Sequence, residues 1–556
     1  MSARAPMSAR APMNPRSLLA LLPSRADYRA VPRTWRGDLL AGVTVGIVAL
    51  PLALAFGVSS GAGADSGLVT AIIAGIVAAI FGGSNVQVSG PTGAMVVVLA
   101  PIMAAQGSGA LALICLLSGA MVLLAGVLRL GRTISYIPWP VIEGFTLGIA
   151  IIIFLQQVPT GTGTEPGDST NALIAAVQSL MSVTWPKLGW SLMLLGLVVA
   201  IMLIGLKIAP KFPGSLVAIV VAGFLAALLD LPVDVIGELP TGLPSPVLPA
   251  VDLGTAVGLV GPAAAVAALA AIESLLAARV AASISDTGPY DADRELVGQG
   301  LASIAAGFFG GMPATGAIAR TAVSIRAGAR TRLAAIVHGL LLLAVVLVGA
   351  SVVSRIPLAA LAGVLMVTSC RMVAPATVRA VMGSTRADAV VFVVTAIITV
   401  SVDLIYAVLI GVLVAGFFAL RQLAKASGVH REEPPGAAQP GDERIAVFRI
   451  EGALFFGAAE RMMERVSELR DIEVVVIRMS QLQILDATGA QVITDMILSL
   501  ERRGITVLVK GIQPRHLKLA EHVGVLRSLR HQNHLFGDLD AAVAHARSHV
   551  VRAAAA

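Results

Sequence analysis

The chain has 556 residues, of which 56% are hydrophobic and 13% charged, with a mean hydropathy of +0.87. Soluble domains carry about a quarter charged residues, so most of this chain belongs in lipid. The formal charge of +7 does not indicate nucleic acid, because the arginines sit between apolar segments instead of forming one stripe. Cys115 and Cys370 lie far apart in apolar stretches, which gives neither a disulfide framework nor a Cys-based zinc cluster and reads as two small buried hydrophobes.

Residues 1–36 carry Arg4, Arg10, Arg16, Arg25, Arg29, Arg33 and Arg36 without a cleavable signal core, and are expected to form a cytosolic N-terminal tail. Leu18, Leu19, Leu21 and Leu22 give Arg16 to Tyr28 one apolar side, which suits a short interfacial helix. A transmembrane domain is expected over 37–423. Apolar runs able to cross about 30 Å of hydrocarbon fall near 38–58, 66–82, 91–106, 109–129, 137–158, 188–207, 214–230, 260–283, 297–310, 314–328, 332–353, 357–373, 387–402 and 404–421. Two of these about fourteen spans, 91–106 and 314–328, are short and open on Pro/Gly clusters, as half-helices would.

Basic residues fall in alternate loops: Arg129 and Arg132, Lys207 and Lys211, Arg279 and Arg294, Arg326, Arg330 and Arg332, then Arg371, Arg379 and Arg386. The opposite loops hold Glu165, Asp168, Asp230, Asp234, Glu238 and Asp252, with Lys187 and Arg355 as strays. The positive-inside rule then puts both termini in the cytoplasm of a cell (inner) membrane protein. Trp139, Trp185 and Trp190 stand at span ends, where interfacial anchors are found.

After the last span, 424–442 reads as a polar Pro/Gly-rich linker. Expected strands at Ile445 to Ile450, Val474 to Ile477 and Ile505 to Val509 alternate with helical patterns at Ala458 to Leu469, Gly489 to Arg502 and Arg515 to Val523. This alternation describes a small α/β domain over 443–550, with 551–556 as a tail. Seven of the eight histidines lie at or beyond Val429. They read as soluble-surface composition, with no His-x-x-x-His pair backed by an acid and therefore no metal site.

The motifs Ser89-Gly90-Pro91-Thr92-Gly93-Ala94 and Gly311-Met312-Pro313-Ala314-Thr315-Gly316-Ala317 match, and lie half a membrane region apart. Such spacing describes two inverted seven-helix repeats whose broken helices meet near the bilayer midplane. Free N–H groups and the macrodipole make paired helix N-termini an anion trap. Thr92 and Thr315 can add hydroxyl donors, and Gly93 and Gly316 let a ligand approach the backbone. Glu273 lies mid-span, where a carboxylate is costly and usually functional, and it is the expected proton- or ion-coupling residue. Arg320, one turn beyond Gly316, places a full positive charge behind the second half-helix. Glu143 reads as interfacial and His338 as a packed core residue.

These residues resemble the sulfate permease (SulP) family of anion transporters. The resemblance rests on Asp38-Leu-Leu-Ala-Gly-Val-Thr-Val through Pro51 to Phe56, Val88-Ser-Gly-Pro-Thr-Gly-Ala94, Ile272-Glu-Ser-Leu-Leu276, and Ala319-Arg-Thr-Ala322 with Ala327-Gly-Ala-Arg-Thr331. It names the C-terminal domain as a STAS domain through Asp486-Ala-Thr-Gly489, where Thr488 matches a hydroxyl that is phosphorylated in soluble relatives. Asp486 and Thr488 are therefore regulatory candidates. The family implies a core of spans one to four and eight to eleven, a gate of spans five to seven and twelve to fourteen, homodimers, and elevator-like alternating access. Leu52 stands where many relatives have Gln, and Ala319 where many have Ser. The expected substrate site comprises Leu52, Ala53, Phe56, Pro91, Thr92, Gly93, Ala94, Thr315, Gly316, Ala317 and Arg320.

A secondary transporter of small anions is expected, of the sulfate, bicarbonate or dicarboxylate class and proton-coupled through Glu273; no phosphate loop or hydrolytic triad is present, so transport should draw on ion gradients and neither an enzyme nor a cofactor is expected. Its partners are the anion and protons, with sodium or exchange as alternative couplings. A nucleobase:cation symporter of the same architecture, an anion channel, or a membrane receptor signalling through its soluble domain are the competing readings.

Overall fold

The computed structural model describes residues 21–555 apart from 108, 133–136, 166, 168, 170, 209–212, 240, 248–252, 403, 427 and 455–470. The chain divides into two compact units, Met1–Val412 and Leu413–Ala556.

In the first unit, helices α1 (Val31–Ser59), α2 (Ala64–Phe81) and α4 (Ala110–Val127) flank a broken segment formed by β1 (Ser89–Gly90) and α3 (Gly93–Gln106). Helices α5 (Trp139–Thr162), α6 (Ala172–Met181), α7 (Lys187–Ile208) and α8 (Gly214–Leu228) complete the first half. The second half runs α9 (Leu253–Ile284), α10 (Ala292–Phe308), β2 (Thr315–Gly316), α11 (Ile318–Arg326), α12 (Leu333–Val353), α13 (Leu358–Met372), α14 (Pro375–Met382), α15 (Arg386–Ser401) and α16 (Leu404–Ala426). Among the described residues nine helices are long and apolar enough to cross a membrane. At 1.5 Å per residue, the 14 residues of α3 and the 9 of α11 reach only about 21 and 14 Å. Both fall short of the roughly 30 Å needed.

Packing follows a two-fold plan. The contacts α4–α10 and α1–α12 reappear with the halves exchanged as α12–α2 and α9–α4. Likewise α1–α11 mirrors α9–α3, and α5–α15 mirrors α13–α7. These contacts sort the helices into one cluster of α1–α4 with α9–α12 and another built on α5, α7, α8, α13 and α15. Even the short helices α6 and α14 occupy matching places in the two halves, although the sequence reading passed over both. Asn171 marks the start of α6 by accepting bonds from the Leu173 and Ile174 amides (3.0 and 3.3 Å), and Pro375 opens α14 as proline does at first helical positions.

Buried polar side chains fix the connections around the broken segments. Asp38, fully buried, accepts from the amides of Arg330 (2.7 Å) and Thr331 (3.0 Å) and from the Thr331 hydroxyl (2.7 Å). The acid of the first span thereby holds the turn into α12. Arg332 donates to the carbonyls of Ala79 (3.0 Å) and Gly82 (2.6 Å), satisfying the end of α2. Glu295 accepts from the amides of Gly83 (2.8 Å) and Ser84 (3.1 Å). Thr70 sits in a π turn of α2 (Thr70–Ala74) and accepts from the Met312 amide at 2.7 Å.

Several expectations change. Of the interfacial helix expected within Arg16 to Tyr28, residues 16–20 lie outside the described residues; the described part holds a 3-10 turn, Arg25–Tyr28, in which Asp27 accepts from Arg294 (2.9 and 2.9 Å). Cys115 is buried and donates to the Gly311 carbonyl at 3.2 Å, but Cys370 is exposed. The stray Lys187 pairs with Asp234 at 2.7 Å. Glu143 accepts from the Trp139 indole at 2.9 Å.

The second unit contains a five-stranded sheet ordered β3 (Gly428–Glu432), β4 (Ile445–Leu454), β5 (Val474–Leu485), β6 (Thr506–Lys510) and β7 (Leu535–Phe536). Only β3 runs antiparallel to its neighbour. Helices α17 (Ala487–Arg502) and α18 (Pro514–Val523) fill one apolar layer, and α19 (Leu539–Ala555) fills another through Ala542, Val543, Ala546 and Val550. The expected linker thus contains a strand: Val429 and Arg431 alternate with His430 and Glu432 and pair with β4. Residues 551–555 of the expected tail are likewise the end of α19, which runs to Ala555. The expected helix at Ala458 to Leu469 lies outside the described residues.

Two measurements test these contacts. Burial would raise the Asp27 pKa, but hydrogen bonds from Arg294 and the Ser24 amide hold it at about 2, below its ordinary 3.8. A depressed carboxylate contributes stability above the unfolded value and loses it toward the folded one. Asp27 should therefore add about 2 kcal/mol at neutral pH, so the gap in thermal midpoint between wild type and Asp27→Asn should close as pH falls from about 4 toward 2. Asp486 caps α17 by accepting from the Gly489 amide at 2.7 Å. Asp486→Ala should cost about 1 kcal/mol, read as roughly fivefold faster hydrogen exchange in the first turns of α17.

Candidate functional site

The two broken segments meet through their backbones. Ser89 pairs with Gly316 and Gly90 with Thr315 in an antiparallel ladder of two residues per strand. The Ala317 amide extends it by donating to the Val88 carbonyl (2.9 Å), while the Val88 amide donates to the Thr321 hydroxyl (3.0 Å). Serines complete the accounting, with Gly316 N–H donating to Ser274 (3.0 Å) and Ala314 N–H to Ser303 (3.3 Å). Irregular backbone at this depth persists because each of these polar groups finds a protein partner.

The ladder sets the N-termini of α3 and α11 side by side. Thr92 is the N-cap of α3 and Ala317 that of α11, and neither end has a side-chain cap. The first amides of both helices are therefore left to bind something else. The Thr92 hydroxyl is instead turned to Glu273, donating to Oε2 at 2.8 Å. Thr315 donates to the same oxygen at 2.8 Å and stands 3.1 Å from the Thr92 hydroxyl. Both threonines, expected to face the ligand directly, thus bind the carboxyl of half-buried Glu273 instead.

Arg320 also differs from expectation. It is 2% exposed and reaches across from α11 to the first motif, where Nη2 donates to the Pro91 carbonyl at 2.5 Å. Its Nη1 has no hydrogen-bond partner among the described residues. A side chain at Gly90 would come within 2.9 Å of that nitrogen, so the absence of a Cβ there makes room for the guanidinium. One cationic donor is thereby aimed between the two motifs.

The remaining expected residues are buried, and Phe56 among them reaches the mouth of α3. A Cβ on Gly93 would collide with the tip of Ile153 on α5 and lie 3.4 Å from the Phe56 ring, which locates Phe56 and Ile153 at the mouth of α3. Pro91, Ala94 and Ala317 are buried beside them. Leu52 and Ala53 are buried in α1, where the Ala53 carbonyl lies against Gly67 of α2. A cavity of about 560 Å³ opens farther along α3, lined by Val97 and Pro101 of α3, Ile152 and Gln156 of α5, Pro262 of α9 and Thr399 of α15.

Sequence reasoning missed four participants: Ser274, Ile153, Gln87 and Gln299. Ser274 adjoins Glu273 and could have been found from that adjacency. Gln87 is buried with both amide atoms unpartnered among the described residues and would meet a Cβ on Gly316; Gln299 donates to Ser89 at 2.6 Å. Neither carries a local signal, since only the meeting of distant segments gives them a role. His338 is fully buried, as expected of a packed residue, with both ring nitrogens unpartnered among the described residues. In the second unit, Asp486 is the α17 cap and Thr488 is exposed in the first turn. His545 and His549, spaced as His-x-x-x-His, lie close to His534.

Known proteins match along nearly the whole chain. The sulfate permease family profile covers residues 35–395 and the STAS domain profile 437–542. The Bacillus subtilis (strain 168) protein YvdB is 34% identical over 90% of this chain and 96% of its own length. The bicarbonate transporter BicA of Picosynechococcus sp. is 30% identical over 87% and 91% respectively. The structure of the murine Slc26a9 anion transporter shares the fold, with a TM-score of 0.81 over 98% of this chain and 97% of that one at 17% identity. The chain is an integral membrane protein belonging to the sulfate permease family of anion transporters, with a STAS domain following its membrane helices.

Proposed function

We propose that the chain is a secondary active transporter of small anions, sulfate, bicarbonate or dicarboxylate in class, that couples anion movement to a proton on Glu273. The observation that carries this reading is the shared contact of Thr92 and Thr315 with Glu273 Oε2, beside a guanidinium whose Nη1 is unpaired. Three oxygen contacts of hydrogen-bond length join the three side chains, at 2.8, 2.8 and 3.1 Å. Two hydroxyls supply two protons; a protonated carboxyl supplies the third and closes the ring, one threonine then accepting from it while the other donates to it.

Charge then links the two solutes. With Glu273 ionised, its negative charge offsets Arg320 and the helix N-termini, and an anion gains little by entering. With Glu273 protonated, the amides of α3 and α11 and the Arg320 guanidinium face the anion unopposed. Proton and anion therefore favour each other's binding, and that reciprocity is the thermodynamic basis of symport.

The core and gate assignment of the family fits this geometry. The binding groups lie on α3, α9 and α11 of one helix cluster, and Ile153 comes from the other. Elevator-like motion of the core against the gate, homodimers, and cytoplasmic termini complete the reading, the last supported by the alternation of basic and acidic loops. Thr488 is a regulatory candidate, since a phosphate added in the first turn of α17 would meet a favourable dipole.

Uptake into proteoliposomes tests the mechanism. Wild-type uptake should rise as external pH falls and follow an inward proton gradient, whereas Glu273→Gln should retain anion binding but lose both dependences; a pH response that survives in Glu273→Gln sinks the coupling role. Arg320→Gln should raise the apparent KM at least about tenfold, the loss expected when one charge-assisted hydrogen bond is removed. Uptake that instead requires a counter-anion inside the vesicle would establish exchange.

A further inference from the structure

Four histidines gather at one end of the C-terminal sheet. His531 and His534 flank the 3-10 turn Gln532–His534 that leads into β7, and His545 and His549 stand one helical turn apart on α19. The rings of His534, His545 and His549 are mutually close, with centroids 5.6, 5.6 and 4.9 Å apart. One candidate ligand nitrogen from each lies within 4.8 Å of the other two. The Nε2 atoms of His545 and His549 are 3.2 Å apart. His531 packs beside His534, at a centroid distance of 6.0 Å.

We propose that His534, His545 and His549 form a binding site for a divalent transition-metal ion of the zinc class, with His531 or water as the fourth ligand. Tetrahedral zinc bound to imidazole at about 2.0–2.1 Å holds its nitrogens roughly 3.3 Å apart, close to the separation already present between His545 and His549. His534 supplies the second, independent observation: it is 4% exposed, and its Nδ1 has no partner among the described residues. A buried ring nitrogen left unsatisfied costs free energy that a metal ion would recover. The donor set is all nitrogen, which suits Zn²⁺, Ni²⁺, Co²⁺ or Cu²⁺ and disfavours the oxygen-seeking Ca²⁺ and Mg²⁺.

Arg552, which faces His549, is turned toward the Ser548 carbonyl and hydroxyl (3.0 and 3.1 Å). A bound ion would tie α19 to the turn before β7, the edge strand of the sheet, and so fasten the end of the chain to the domain.

The full-length protein, purified in detergent with a tag that contains no histidine and stripped with chelator, tests the site. After incubation with Zn²⁺ and desalting, elemental analysis should find about one zinc per chain, and Co²⁺ should give the strong visible absorption of a tetrahedral nitrogen site. The double variant His545→Gln/His549→Gln, whose substitutions fall on half-buried positions, should lose retained zinc at least tenfold while keeping wild-type elution on gel filtration. His430→Gln, outside the cluster, should leave retention unchanged. Wild-type protein that retains no zinc overturns the proposal, as does equal retention in the double variant. These outcomes are independent of whether the transport reading holds.

Discussion

Everything in the membrane unit depends on how two interrupted segments satisfy their backbones inside hydrocarbon. A helix that stops at midplane exposes amides that no water relieves, and here each half supplies part of the remedy for the other. Ser89–Gly90 and Thr315–Gly316 pair directly. Ser274 and Thr321 take the next amides. The amides left over are the first ones of α3 and α11. On the proposed reading, anion affinity would be a by-product of incomplete repair, arising where these two helix ends lack a side-chain cap.

The same crossing explains why a carboxylate and a guanidinium share so small a space. Glu273 enters from α9, Arg320 from α11, and each ends on groups of the first motif, Thr92 and the Pro91 carbonyl respectively. Removing either would leave the other as an uncompensated buried charge, a costly state in low dielectric. A solute carrying negative charge and a mobile proton are the two agents able to shift that balance without breaking the fold. The position is thus suited to energy coupling as well as to binding.

Much of this was legible in the residues, for identifiable reasons. Hydropathy exposes long helices because lipid imposes one length on them, and the matched Pro-Thr-Gly motifs exposed the broken ones because proline and glycine leave a plain local mark. What stayed hidden depends on distant partners. Arg320 was placed behind its own half-helix because sequence shows only the near side of a long, flexible side chain; its contact with Pro91 requires knowing which segment lies opposite. Strand β3 hid in a polar stretch because an edge strand needs few apolar residues. The histidine cluster hid because His534 and the His545/His549 pair are joined only by the packing of α19 on the sheet.

The β1–β2 ladder has one more consequence, for how such a site changes over generations. The groups that would grip the anion are main-chain amides, and no side-chain substitution deletes an amide. Alanine scanning across the motifs would therefore register mainly the walls and the charges, and would understate the backbone's share. Only replacing an amide by an ester, or inserting proline, would weigh it. If the proposed site holds, mutation would be free to reshape Phe56 and Ile153 around a fixed grip, so that one scaffold could drift among anions of different size while continuing to bind negative charge.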